Sequence, residues 1–155
     1  MPVTSLKLVR DCVDDNTRNF AKAVSCWNRG DLAGYLQLYS DDVRVFGYGP
    51  SPMDKRTAAS FYETLWSALG EEGQASPTLT IQEGAADGDL FACRVTLSGI
   101  HRGSFLGLAP THRGYALHGM TMLRFANGRV VERWACEDMF GLLVQLGGLK
   151  APCSA

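Results

Sequence analysis

The stretch that decides the fold runs from Met120 to Gly147: MTMLRFANGRVVERW (Met120–Trp134), Ala135, then CEDMFGLLVQLG (Cys136–Gly147). Asn127–Gly128 is the strongest short hairpin signal, because both residues tolerate the positive φ of a tight two-residue turn. The flanking runs, Tyr115 to Ala126 and Arg129 to Glu137, are therefore predicted strands of one hairpin. Asp138 then stands where a helix cap belongs, before a short apolar segment, Met139 to Leu146, that Gly147–Gly148 stops.

Upstream, Leu79 to Gly84 and Leu90 to Ile100 flank Asp87–Gly88, a second hairpin signal. The first half reads as helices instead. Asp14 or Asp15 caps a helix in which Phe20, Val24 and Trp27 recur at helical spacing, until Gly30. Asp31 caps a short second helix carrying Leu32, Tyr35, Leu36 and Tyr39, which Asp41–Asp42 ends. A strand from Val43 to Phe46 and a loop through Pro52 follow. The third helix, about Asp54 to Leu69, presents Ala58, Phe61, Tyr62, Leu65 and Trp66 as an apolar stripe. Helices first and antiparallel strands after is the α+β pattern, with the sheet curled over the helices to bury them.

The chain has 155 residues, 46% hydrophobic and 20% charged, with a formal net charge of −1. This fits one soluble domain, with a core of about 14–147 and short flexible ends, large enough to need no disulfide or metal. The scattered Lys and Arg argue against a nucleic-acid partner. Met1 to Arg10 lacks the apolar core of a signal peptide, and no apolar run is long enough for a membrane helix. Five dispersed cysteines (Cys12, Cys26, Cys93, Cys136, Cys153) form no CxxC pair. Reduced thiols, no zinc site and a cytoplasmic location are the expectation.

Three segments, GIHRGSFLGLAPTHRG (Gly99–Gly114) and the two quoted at the outset, resemble the SnoaL-like polyketide cyclases. Ile100 and His112 stand where that family's motif has Thr and Gly. The resemblance implies a nuclear transport factor 2-like fold: a cone-shaped, curved antiparallel sheet wrapped on three N-terminal helices. It also implies aldol ring closure without metal or cofactor. Relatives with this fold isomerise steroids, hydrolyse epoxides or only bind ligands, so the fold alone does not fix the activity.

The family's acid/base aspartate falls on Asp138, in Glu132-x-Trp134-x-x-x-Asp138. A carboxylate in an apolar cavity can take and return a proton near neutral pH. The same Asp also reads as a plain helix N-cap. An undisturbed turn pairs Ala126 with Arg129, Thr121 with Trp134 and Leu117 with Asp138, and paired residues share a face. Leu117, Thr121, Leu123, Phe125, Trp134 and Asp138 would then form the cavity wall. His118 falls on the opposite face with Met120 and Met122. One bulge, for which Gly119 is a natural place, would bring His118 beside Asp138 as a proton partner. Without a bulge, His118 belongs to a subunit interface.

His101 occupies the position of the family's motif histidine. It is either a donor to a substrate carbonyl or a strand-end histidine bonded to the backbone. His112 lies in a solvated turn, and the three histidines lack metal-site spacing. Trp27, Tyr35, Tyr39, Phe61, Trp66 and Tyr115 are either pocket lining or ordinary core.

The expected activity is a cofactor-independent cyclase or isomerase acting on a polyketide-like or polycyclic ketone. An epoxide hydrolase using Arg124 and Glu132, and a non-catalytic binding or dimerisation module, are the alternatives. Met120 and Met122, next to Val131 and Ala135, predict an outer sheet face covered by a second copy in a homodimer.

Overall fold

The structure, a computed structural model, describes residues 7–8 and 15–152. Cys12, Cys153 and Asp14 as an alternative helix cap lie outside the described residues. The elements are β1 (Lys7–Leu8), α1 (Asp15–Asn28), α2 (Leu32–Leu36), β2 (Tyr39–Phe46), α3 (Lys55–Leu69), β3 (Thr78–Asp87), β4 (Leu90–Ile100), β5 (Gly114–Ala126), β6 (Arg129–Glu137) and α4 (Met139–Gln145). One curved sheet in the order β1-β3-β4-β5-β6-β2 carries them.

Asp31 caps α2 as its sequence position predicts, and Asp54, read from the sequence as the start of the third helix, caps α3. Asp31 accepts from the Gly34 N–H at 2.7 Å and Asp54 from the Thr57 N–H at 2.7 Å. These bonds satisfy backbone donors that the first turn leaves unpaired. Burial alternates along β4, so one sheet face packs on α1 and α3 while the other faces outward. Phe20 meets Phe91 with ring centroids 5.6 Å apart, and Trp27 meets Trp66 edge-on at 5.1 Å. The Tyr115 hydroxyl donates to the Leu69 carbonyl at 2.6 Å, tying the end of α3 to the sheet.

Three expectations need correction. Tyr39 is not on the second helix: α2 stops at Leu36 and β2 starts at Tyr39, where Tyr39 pairs with Val130. The helical spacing breaks there because the short α2 ends in a turn and a fully buried Tyr39 already belongs to the sheet. β2 runs parallel to β6 and β1 parallel to β3, so the sheet is antiparallel only across β3 to β6. The first hairpin turns at Gly88–Asp89 rather than Asp87–Gly88, since Asp87 pairs with Leu90.

A further correction, at the β5–β6 hairpin, sets the site. Asn127 and Gly128 take φ values of 51° and 75°, and Ala126 pairs with Arg129 as predicted. Phe125 then faces Val130 but Arg124 faces Glu132, which leaves Val131 as one extra residue in β6. This bulge lies at Val131, not at Gly119, and every later residue of β6 changes face. Thr121 therefore pairs with Ala135, Leu123 with Arg133 and Gly119 with Glu137. Leu117, Thr121, Leu123 and Phe125 do form the inner face of β5, all buried. Their β6 companions are Arg133, Ala135 and Glu137 instead of Trp134 and Asp138.

Candidate functional site

A cavity of about 270 Å³ opens between the inner sheet face and the helices. Its wall is mostly apolar: Trp27 from α1, Phe61 and Leu65 from α3, Leu79, Val95, Leu97 and Leu117 from the strands. Phe105, Leu106 and Met139 complete the lining. Leu106 is 61% exposed and takes φ 49°, a left-handed conformation that leucine rarely adopts. Into this setting project Tyr35, Tyr48, Tyr62, Arg133 and Glu137.

Arg133 is the unusual group. Its Nη1 donates to the hydroxyls of Tyr35 (2.9 Å), Tyr39 (2.8 Å) and Tyr62 (2.9 Å), and its Nε to Thr121 Oγ1 (3.2 Å). Burial would push the guanidinium down, but the surrounding phenol oxygens more than offset this and it stays a cation. Burial likewise raises Tyr35 and Tyr62 well above the ordinary phenol range, against the pull of Arg133, so both remain neutral hydroxyls. Glu137 lies four residues further along the same strand. It accepts a 2.9 Å hydrogen bond from Tyr48, whose phenol is also raised by burial and stays a donor.

The predicted site residues divide. Trp27, Tyr35, Phe61 and Leu117 line the cavity. Tyr39 sits behind it, holding Arg133 and bonding Tyr62 at 3.0 Å. Trp134 is on the outer face, 48% exposed and stacked on Phe46 with centroids 4.0 Å apart. Asp138 is exposed and caps α4, accepting from the Gly141 N–H at 2.8 Å, and it is not among the lining residues. Both moved outward with the bulge.

His118 is exposed on the outer face, its Nδ1 3.0 Å from Thr96 Oγ1, and only its backbone oxygen touches Asp138, through the Asp138 N–H at 2.8 Å. His101 is fully buried in the loop after β4 and does not line the cavity. The Thr111 N–H donates to its Nδ1 at 3.3 Å and Thr111 Oγ1 lies 3.0 Å from the same nitrogen, while its Nε2 has no partner among the described residues. Arg124 and Glu132 pair with each other at 3.3 Å on the outer face, where Arg124 also meets Asp89 at 3.0 Å.

Arg133, Glu137, Tyr48 and Tyr62 were not singled out as site residues from the sequence. The register of an undisturbed Asn127–Gly128 turn assigns the row of Trp134 and Asp138 inward instead. An arginine in mid-strand, with several tyrosines elsewhere to accept from it, is the one signal that points the other way. Among the described residues, no three His, Cys, Asp or Glu side chains gather as a metal site requires. No helix among them is long and apolar enough to cross a membrane.

The sequence profile described as SnoaL-like polyketide cyclase matches residues 18–146. Among solved structures, AclR of Streptomyces galilaeus, a candidate hydroxylase, is 28% identical with a TM-score of 0.78, covering 88% of this chain and 83% of its own. IdmH of Streptomyces antibioticus, a candidate polyketide cyclase, is 26% identical with a TM-score of 0.72, covering 86% and 99%. An NTF2-like protein of Burkholderia pseudomallei, at 18% identity, TM-score 0.69 and coverage of 86% and 98%, shares the fold. No curated protein matches the sequence.

Proposed function

The chain belongs to the SnoaL-like polyketide cyclase family, and from that premise we propose that it is a cofactor-independent cyclase or isomerase acting on a small polycyclic ketone. The observation that carries this reading is one apolar cavity shared by a phenol-bonded carboxylate, Glu137, and a buried guanidinium, Arg133. Glu137 takes the acid/base role that the family motif suggests for Asp138. Tyr48 occupies Oε1, leaving Oε2 to remove a proton beside the ligand carbonyl. The charge moves to the carbonyl oxygen, where a donor fixed in an apolar site stabilises it far better than water-exposed donors would. Arg133 supplies that donor. In a ring closure the enolate carbon then attacks a second carbonyl, and the new alkoxide takes the proton back from Glu137. In an isomerisation the proton returns to a different carbon.

The epoxide-hydrolase alternative calls for two carboxylates around an arginine, and among the described residues Glu137 is the sole carboxylate lining the cavity. The reading of Arg124 and Glu132 as its relay is not favoured by their outer-face position. A homodimer through the outer face remains our reading of Met120, 64% exposed, with Met122 and Trp134 beside it. Ala135, expected there, is buried on the inner face. Light scattering at micromolar concentration tests the dimer.

The acid/base reading is tested by incubating the protein with 2-tetralone in D2O and following loss of the α-proton signals by NMR. The wild type is expected to accelerate exchange and Glu137→Gln to abolish the acceleration. Equal rates in the two proteins would leave a binding module.

A further inference from the structure

Arg133 is a buried charge without a counter-charge. Its side chain is on a residue only 7% exposed, and its four protein acceptors are the hydroxyls of three tyrosines and one threonine. Among the described residues no carboxylate forms an ion pair with it. Removing a cation from water is costly unless an anion meets it, and structures that bury one leave it paired. The hydroxyls engage Nη1 and Nε only. Nη2 has no protein acceptor among the described residues, while Arg133 is one of the residues that line the cavity. The tyrosines thus hold a fork with one prong open to whatever enters.

We infer that the ligand brings the missing charge: the bound molecule is an anion whose oxygen docks on Nη2 of Arg133. The chemistry is a carboxylate, a phenolate or the enolate of an acidic 1,3-dicarbonyl, carried on a small apolar ring system. This rests on the same cavity being the ligand site, and it narrows the ketone of that reading to one held as its anion. Glu137 does not oppose it. Four residues of strand separate the two backbones by about 13 Å, and the carboxylate is engaged by Tyr48 rather than by the guanidinium. The cavity volume, at the low end of ligand pockets, suits two or three fused rings.

The test is binding, not turnover. Calorimetry with the full chain compares 2-naphthoate with its neutral isostere 2-naphthamide. The naphthoate is expected to bind about tenfold tighter or more, the scale of a charge-assisted hydrogen bond. In a second arm, 2-naphthol is titrated with pH in the presence of excess protein, and its absorbance reports ionisation. Its midpoint is expected to fall by roughly one unit or more beside a guanidinium. An anion preference in the naphthoate arm alone names a carboxylate, and in the naphthol arm alone a phenolate or enolate. No preference in either, or no binding of any probe at millimolar concentration, overturns the inference.

Arg133→Gln removes the charge and is expected to erase the preference. A preference that survives in the folded variant also overturns the assignment to Arg133. The wild-type naphthol titration needs no variant, so a misfolded Arg133→Gln leaves the test intact. The acid/base reading fails separately, on the exchange rate of Glu137→Gln.

Discussion

The phenol of Tyr48, in the loop after β2, donates a 2.9 Å hydrogen bond to Oε1 of Glu137 at the end of β6. The bond joins chain segments 89 residues apart and occupies one of the two carboxylate oxygens. Tyr48→Phe keeps the ring against Phe61, 4.7 Å away between centroids, but frees the carboxylate to rotate. Ketone α-proton exchange is expected to fall roughly tenfold while naphthoate affinity changes little, because misplacing a base costs rate more than binding. An unchanged exchange rate would remove Tyr48 from the mechanism.

Asp138 and Gly141 form one capping unit. A Cβ at Gly141 would stand against the Asp138 carboxylate and force it out of the cap. Asp138→Ala is expected to cost about 1 kcal/mol of stability in urea unfolding and to leave exchange intact. Gly141→Ala is expected to destabilise too, although alanine is the better helix former. If Asp138→Ala abolished exchange without loss of stability, the base would be Asp138 and not Glu137.

For the cavity side of β6, the limit of what could be read from the sequence is one residue wide. The helix caps Asp31 and Asp138 and the hairpin at Asn127–Gly128 follow from local chemistry, and the structure has them there. The inner row of β5, Leu117 included, follows from alternation, and the helical stripes put Trp27 and Phe61 on the inner side without deciding between core and the cavity they line. What local chemistry does not reveal is the extra residue at Val131, since a bulge has no side-chain signature and valine is an ordinary strand residue. That single insertion exchanges Trp134 and Asp138 for Arg133 and Glu137 on the cavity side. The apolar Trp134 looked like core, yet it finds cover by stacking on Phe46 of the neighbouring strand. Arg133 looked like surface, and only the convergence of tyrosines from α2, β2 and α3 makes its burial tolerable.

Tyr39 tests that convergence without touching the cavity wall. Its hydroxyl is 2.8 Å from Nη1 of Arg133 and 3.0 Å from the Tyr62 hydroxyl, and the residue is fully buried. Tyr39→Phe is expected to lower stability by about 1–3 kcal/mol in urea, the cost of an acceptor lost from a buried charged donor. Naphthoate affinity is expected to hold. A change below a few tenths of a kcal/mol would mean that Tyr35 and Tyr62 alone satisfy the guanidinium.

Cys93 gives a prediction in pH. It lies opposite Thr121 on the inner face and is 5% exposed, whereas Cys136 is exposed on the outer face. Burial pushes the Cys93 thiol up to about 12, with Arg133 pulling weakly the other way. The folded state therefore holds this proton more tightly than the unfolded chain does. Its contribution to stability is fully present below the ordinary thiol range and is lost as pH rises through about 12. Iodoacetamide at about pH 8 is expected to alkylate Cys136 and spare Cys93, as mass spectrometry of the peptides would record, because the thiolate is the reactive form. Denaturant midpoints measured at rising alkaline pH are expected to fall less steeply for Cys93→Ala than for the wild type. Rapid alkylation of Cys93 in the folded protein would show that the inner face opens to solvent, and the tyrosine cage around Arg133 would then be far wetter than its burial implies.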